Sequence, residues 1–274
     1  MLELKSKTQG AEITSIKYKG VERMHDGVNF WNRHAPVLFP IVGQLKDGQT
    51  KIEGNIYKMG QHGFARDMEF EKIGENSYVL KSNEETLKKF PYKFELYVSY
   101  EVKDNSFTNK YRVVNKDDKL IYFGLGSHPA FVGDYKTGNY YIEFEDDEKD
   151  LKIYQLEKGL FKAEPEKTEI FIKNKIMKLD EHTFDNDAIA VKNNIKRKVY
   201  IKNKNDNKAI LSMEYKDFPT LGIWSKVGAN FVCLEPWLNH SDYVNSNGIF
   251  SDKENVLKLK PGEEFSASWT VEFF

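Results

Sequence analysis

Between Tyr92 and Val102 the residues Tyr92, Phe94, Leu96, Val98, Tyr100 and Val102 occupy every second position. A period of two matches the pleat of a strand, whose side chains point alternately to opposite faces, and gathers on no single stripe of a helix. Asp104-Asn-Ser106 reads as a turn, after which Phe107, Tyr111 and Val113 resume the alternation, so the two segments predict an antiparallel hairpin. A second hairpin is expected at the end of the chain. There Val256, Leu257 and Leu259 lead into Lys260-Pro-Gly262, and Phe265, Ala267, Trp269, Val271 and Phe273 alternate beyond it. Further strand-like pieces are Glu12–Tyr18, Ser77–Leu80, Tyr140–Phe144, Lys198–Ile201, Ala209–Met213 and Leu221–Trp224. The single helical signal, Glu84–Phe90, is too short before Pro91 to change the class. Many short strands separated by polar turns predict an all-β chain: a large antiparallel β-sandwich, with residues 1–274 as one domain.

Charge restricts the partners. Lys+Arg 41 against Asp+Glu 42 leaves a net charge of -1, so no overall basic field draws the chain to nucleic acid or to an anionic membrane. The longest markedly apolar stretch, Ala35–Gly43, is too short to span a bilayer and contains two prolines. An acidic run, Glu143–Asp150, and a basic run, Asn193–Val199, each adjoin a strand signal and read as solvated hairpin ends. The lone Cys233 and a beginning, Met1–Lys7, without an apolar leader imply a reducing, cytoplasmic setting. A neutral small ligand suits this balance, and the oligomeric state is not readable.

Three segments carry chemistry. Gly60-Gln-His-Gly-Phe-Ala-Arg66 would place His62, Phe64 and Arg66 on one side if extended, a ring for the C–H face of a sugar beside two hydrogen-bond donors. Gly60 and Gly63 would leave room for close approach. Gly124-Leu-Gly-Ser-His-Pro-Ala-Phe131 supplies His128, and Phe231-Val-Cys-Leu-Glu-Pro-Trp237 supplies Glu235 on the same strand face as Phe231, Cys233 and Trp237. Each of these two residues precedes a proline, which excludes the α region and stiffens the backbone that aims it. A carboxylate in so apolar a run is costly unless partnered, which marks Glu235 for a ligand-facing cleft. A lone histidine, by contrast, more often serves the core. The six histidines show no His-x-x-x-His spacing and the one cysteine no Cys-x-x-Cys, so no metal ligand set is expected.

Taken together, His-Gly-Phe-Ala-Arg at 62–66, Ser-His-Pro-Ala-Phe at 127–131 and Glu-Pro-Trp at 235–237 resemble the aldose 1-epimerase, or galactose mutarotase-like, family. The resemblance runs from Leu38–Gly43 through the C-terminal strands and implies a β-supersandwich that interconverts the α and β anomers of an aldose without cofactor or metal. It further implies Glu235 as the base that takes the C1 hydroxyl proton and His128 as the acid that protonates the ring oxygen, the two on opposite sides of the anomeric centre. Glu235 would then be ionised and His128 protonated for ring opening. His62 and Arg66 would hold ring hydroxyls, and Trp224 and Trp237 would stack on the sugar. The family's aspartate falls in Phe184–Ile189, where we assign Asp187 rather than Asp185. The family also places an arginine just after the Leu38–Gly43 strand, where this chain has Gln44.

Substrate identity stays open at this level. Arg33, Lys46 and Arg66 are the candidates for a sugar phosphate, and they are scattered in sequence, so a neutral hexose is favoured over a hexose 6-phosphate. A non-catalytic sugar-binding protein is the alternative of a different class. A two-carboxylate hydrolase fits less well, because one carboxylate is paired with one histidine.

Overall fold

The computed structural model describes residues 1–147, 150–162, 171–192 and 194–274. Its nine-stranded first sheet runs in the order Ile176–Leu179, Tyr140–Glu145, Lys198–Asn203, Ala209–Glu214, Glu264–Phe273, Ser106–Asn115, Phe94–Lys103, Ser77–Lys81 and Glu71–Gly74. A second sheet runs Leu160–Phe161, Leu151–Glu157, Ile189–Lys192, Thr220–Trp224, Phe231–Trp237, Gly126–Ser127 and Val37–Leu38, with Ala130–Val132 also paired to Phe231–Trp237. Neighbouring strands pair antiparallel in both, so the expected all-β sandwich is found.

Alternation along each strand decides which residues fill the space between the sheets. Val98, Tyr111, Val199, Met213 and Val271 of the first sheet share one buried cluster with Val191, Leu221, Ile223, Val232 and Leu234 of the second. Each such side chain removed from water contributes about 1.5–3 kcal/mol. The intervening residues of the second sheet, Ala190, Gly222, Trp224, Phe231, Cys233, Glu235 and Trp237, therefore point away from that core, and several of them join two smaller clusters. The face carrying Glu235 is thus set by strand parity.

The first hairpin forms as expected, with Phe107 opposite Val102. The C-terminal one does not. Lys260 accepts the Glu263 N–H and Gly262 has a φ of 75°, so the turn exists. Its two arms nonetheless separate: Leu257–Leu259 pairs with Ile121–Phe123, while Glu264–Phe273 lies between Ser106–Asn115 and Ala209–Glu214. A ten-residue strand gains more ladder from two long partners than from a three-residue one. Leu38–Gly43 likewise gives only the short strand Val37–Leu38, since Pro40 has no N–H for a ladder. The helical turn spans Glu84–Lys89, capped by the Asn83 side chain.

The acidic and basic runs meet each other at the surface. Glu145 is the register partner of Lys198, and Lys196 Nζ lies 3.2 Å from Asp147. Glu148 and Lys149 of the acidic run and Asn193 of the basic run lie outside the described residues. Among the described residues no helix is long and apolar enough to cross a membrane.

Candidate active site

Glu235 stands on the outer face of the second sheet, in the strand Phe231–Trp237. The chain bearing His128 runs beside that strand, because Gly126 pairs with Trp237 and Ala130 with Cys233 on either side of it. The His128 N–H donates to Pro36 O at 3.2 Å, fixing its backbone from the other side. His128 Nε2 then lies 3.2 Å from Glu235 Oε1, with side-chain exposures of 8% and 1%. Acid and base candidates thus touch directly, on one side of the cleft and not across it as expected. Such an arrangement suits a hemiacetal, whose hydroxyl and ring oxygens are bonded to the same carbon and can face one wall together.

Burial sets the charge of this pair. It pushes the Glu235 carboxyl well above the usual carboxylate range, against the Trp237 Nε1–H that donates to Oε2 at 3.2 Å, with Asp187 adding to the upward push. It pulls His128 down to about 3, assisted by the Arg66 and Arg33 guanidinium charges. Burial thus works on both groups toward the neutral form and against the carboxylate–imidazolium pair expected for ring opening. The two forms contain the same number of protons and differ by one transfer within the pair. Glu235 Oε1 makes no aligned hydrogen bond among the described residues, so its 3.2 Å contact with His128 Nε2 leaves its acceptor capacity unfilled.

The Trp237 donor depends on a missing side chain. Gly222 is the register partner of Glu235, and a Cβ there would collide with the Trp237 indole. Trp237 therefore both lines the cleft and orients the carboxyl group, beyond the stacking role expected of it.

A cleft of about 370 Å³ opens over the pair, and His62, Arg66, Asp187, Trp224 and Trp237 all line it. The 62–66 segment is not extended, however. His62 and Gly63 have φ of 66° and 74°, and Ala65–Asp67 forms a 3-10 turn. Phe64 consequently turns into the core against Phe39, Phe90 and Phe94 and offers nothing to a sugar. His62 and Arg66 still reach the cleft because the turn, rather than a pleat, brings them round. The His62 backbone N–H donates to Gly43 O, and the Gly43 N–H donates back to His62 Nδ1 at 3.0 Å. With Nδ1 accepting, the ring proton is assigned to Nε2. Burial pulls this imidazole well below its usual range, helped by the charges of His128, Arg66 and Arg33.

Arg66 donates to Gln61 O at 2.7 Å, and its buried Nε has no hydrogen-bond partner among the described residues. Asp187 lines the cleft while Asp185 is engaged with His182 at 2.9 Å. Of the three phosphate candidates only Arg66 is at the cleft. Arg33 is paired with Asp67 at 2.7 Å, and Lys46 lines a different groove and donates to Ser246 O.

Trp31, Gln44, Gln61, Lys158 and Ser241 also line the cleft, and of these only Gln44 had drawn notice in the sequence. Trp31 packs its ring 4.7 Å from the His128 ring, tilted by 31°, and meets Trp224 edge-on at 5.7 Å. Its one sequence signal was the apolar pair Phe30-Trp31 inside a polar loop. A groove of about 420 Å³ on the other sheet, lined by Tyr97, Arg112, Asp217 and Ser268, brings no acid and base into contact.

Comparison with known proteins agrees with this architecture. The family model for aldose 1-epimerase matches residues 2–271. The plasmid-encoded protein LacX of Lactococcus lactis subsp. lactis is 32% identical over 288 residues, covering 98% of this chain and 96% of the relative. A galactose mutarotase related enzyme from Lactobacillus acidophilus superposes with a TM-score of 0.91 at 31% identity, covering 100% of this chain and 95% of that one. A galactose mutarotase-like protein from Lactobacillus casei ATCC 334 gives 0.88 at 27% identity, covering 100% and 97%. On a match over nearly its whole length, the chain belongs to the aldose 1-epimerase family.

Proposed function

We propose that this protein is a mutarotase: an aldose 1-epimerase that interconverts the α and β anomers of a neutral hexose by acid/base ring opening and reclosure. The 3.2 Å contact between His128 Nε2 and Glu235 Oε1 at the floor of the cleft carries the reading. In the ion-pair form Glu235 removes the C1 hydroxyl proton while His128 protonates the ring oxygen. The ring opens, the C1–C2 bond rotates, and reclosure returns both protons. The neutral and ion-pair forms of the pair contain the same mobile proton, so no exchange with solvent is needed to pass between them. His62 Nε2–H and Arg66 donate to ring hydroxyls, Asp187 accepts from one, and Trp224 and Trp31 supply apolar surface. Arg66 and Lys158 are the arginine and lysine side chains among the lining residues, two groups rather than the cluster that a phosphate site gathers, which supports a neutral sugar over a 6-phosphate.

Polarimetry or NMR exchange on freshly dissolved α-glucose and α-galactose tests this. Wild type accelerates equilibration, and His128→Asn and Glu235→Gln each lose about 10²–10⁴-fold. No acceleration of either sugar by wild type would favour the sugar-binding reading instead. Full activity in either variant removes that residue's role, and faster turnover of glucose 6-phosphate would reassign the substrate.

A further inference from the structure

We propose that His128, Cys233 and Glu235 together form a site for one soft divalent cation of the zinc and cadmium class, and that this cation shuts the cleft to the sugar. One ligand atom from each, an imidazole nitrogen, the Cys233 sulfur and a carboxylate oxygen, lie within 4.8 Å of one another. Cys233 and Glu235 are two residues apart on the same face of one strand, and His128 approaches from the neighbouring strand edge. Nitrogen, sulfur and oxygen in one cluster match the donor set of zinc, which binds at about 2.0–2.3 Å and accepts three protein ligands with a fourth position open. Tetrahedral coordination wants donor atoms about 3–4 Å apart, so modest side-chain shifts complete it.

Two features beyond proximity support the site. Glu235 Oε1 is buried and makes no aligned hydrogen bond among the described residues, its 3.2 Å approach to His128 Nε2 lying inside the cluster itself. Glu235 Oε2 is held by Trp237 Nε1–H, the kind of outer contact that orients a ligating carboxylate. Charge also balances. The cation displaces the thiol proton of Cys233 and the one mobile proton of the His128–Glu235 pair. A dication beside a thiolate and a carboxylate leaves no net charge in this buried place, and binding tightens as pH rises. Entry is through the cleft that His128 and Glu235 line. Exclusion of the sugar, unlike the cation site itself, rests on the reading proposed above.

Cys233 is the chain's one cysteine, so the near-ultraviolet thiolate-to-cadmium absorption of the intact protein reports on this sulfur alone. Titration with Cd²⁺ in a non-thiol reductant is expected to give a band saturating at one cation per chain, absent in Cys233→Ala. In His128→Asn and in Glu235→Gln the midpoint moves to at least tenfold higher cation, a loss of the size that even outer-shell changes produce at metal sites. Circular dichroism verifies that each variant is folded. No band in the folded wild type overturns the proposal, and so does an unchanged midpoint in both ligand variants, which would mean a thiol binding alone. Cd²⁺ should also raise the apparent KM for the sugar in wild type, with Cys233→Ala resistant. If wild type proves inactive on sugars, the absorption titration still decides the cation site.

Discussion

Replacing Trp237 by phenylalanine removes the hydrogen bond that the indole gives the Glu235 carboxyl and leaves the 3.2 Å contact with His128 in place. The ring remains over Gly222, but the Nε1–H that meets Oε2 at 3.2 Å is gone. A hydrogen bond to an ionised group is worth about 1.5–3 kcal/mol, and the donor favours the carboxylate over the acid. Its loss therefore drains the ion-pair form through which the proposed ring opening proceeds. If that stabilisation is fully felt on the way to the transition state, kcat falls about 10- to 100-fold. The KM for sugar changes far less if the phenyl ring preserves the apolar wall. The sign on pH follows too: without the donor the Glu235 carboxyl rises further, so the alkaline limb of the rate profile moves up. NMR exchange rates across pH, with thermal melts to verify the fold, supply both readouts. A folded Trp237→Phe enzyme with wild-type kcat and an unmoved alkaline limb would refute the argument that this indole tunes the carboxyl.

Wild-type mutarotation should be flat across neutral pH. Activity requires one mobile proton on the pair, and burial moves His128 down to about 3 and Glu235 well above the carboxylate range, so both limbs are pushed outward; a bell centred on an ordinary imidazole titration contradicts this. Glu12 accepts the His34 and Ala35 N–H groups and pairs with Lys7 at 2.7 Å. Burial works upward on its carboxyl, and these partners outweigh it to hold the group at about 2 against 4.5 unfolded. Its contribution, about 3 kcal/mol, is present above the unfolded value and lost as pH falls toward 2, so urea melts of Glu12→Gln should show destabilisation at pH 7 that shrinks at acid pH. Lys253 and Asp242 form an ion pair with side-chain exposures of 4% and 3%. Breaking it with Lys253→Met should cost about 3–5 kcal/mol in the same melts, and adding Asp242→Asn should recover part of that.

Legibility followed the range of the interactions involved. Strands such as Ser106–Asn115 and Lys198–Asn203 were visible because a half-buried strand writes its burial into alternate residues. The C-terminal arms were misread because a turn signal is local while the choice of ladder partner is not. At the site, strand parity alone put Cys233, Glu235 and Trp237 on one face. The 62–66 segment misled because the positive φ of His62 is bought by bonds exchanged with Gly43, nineteen residues earlier. Trp31 went unseen because its importance lies in a ring contact with His128, remote in sequence.

The amino-acid order by itself determined the all-β class, the strand parity that turns Glu235 outward, and the prolines that keep Glu235 and His128 off the helical region. Those are consequences of pleat and sterics within a few residues. Tertiary structure alone decided that the acid and base candidates touch at 3.2 Å instead of standing apart, and that burial works on both toward the neutral form. Contact and desolvation depend on which distant strands pack together, and no local pattern encodes that. The same packing drew Cys233 beside them, where sequence spacing had shown no ligand set at all.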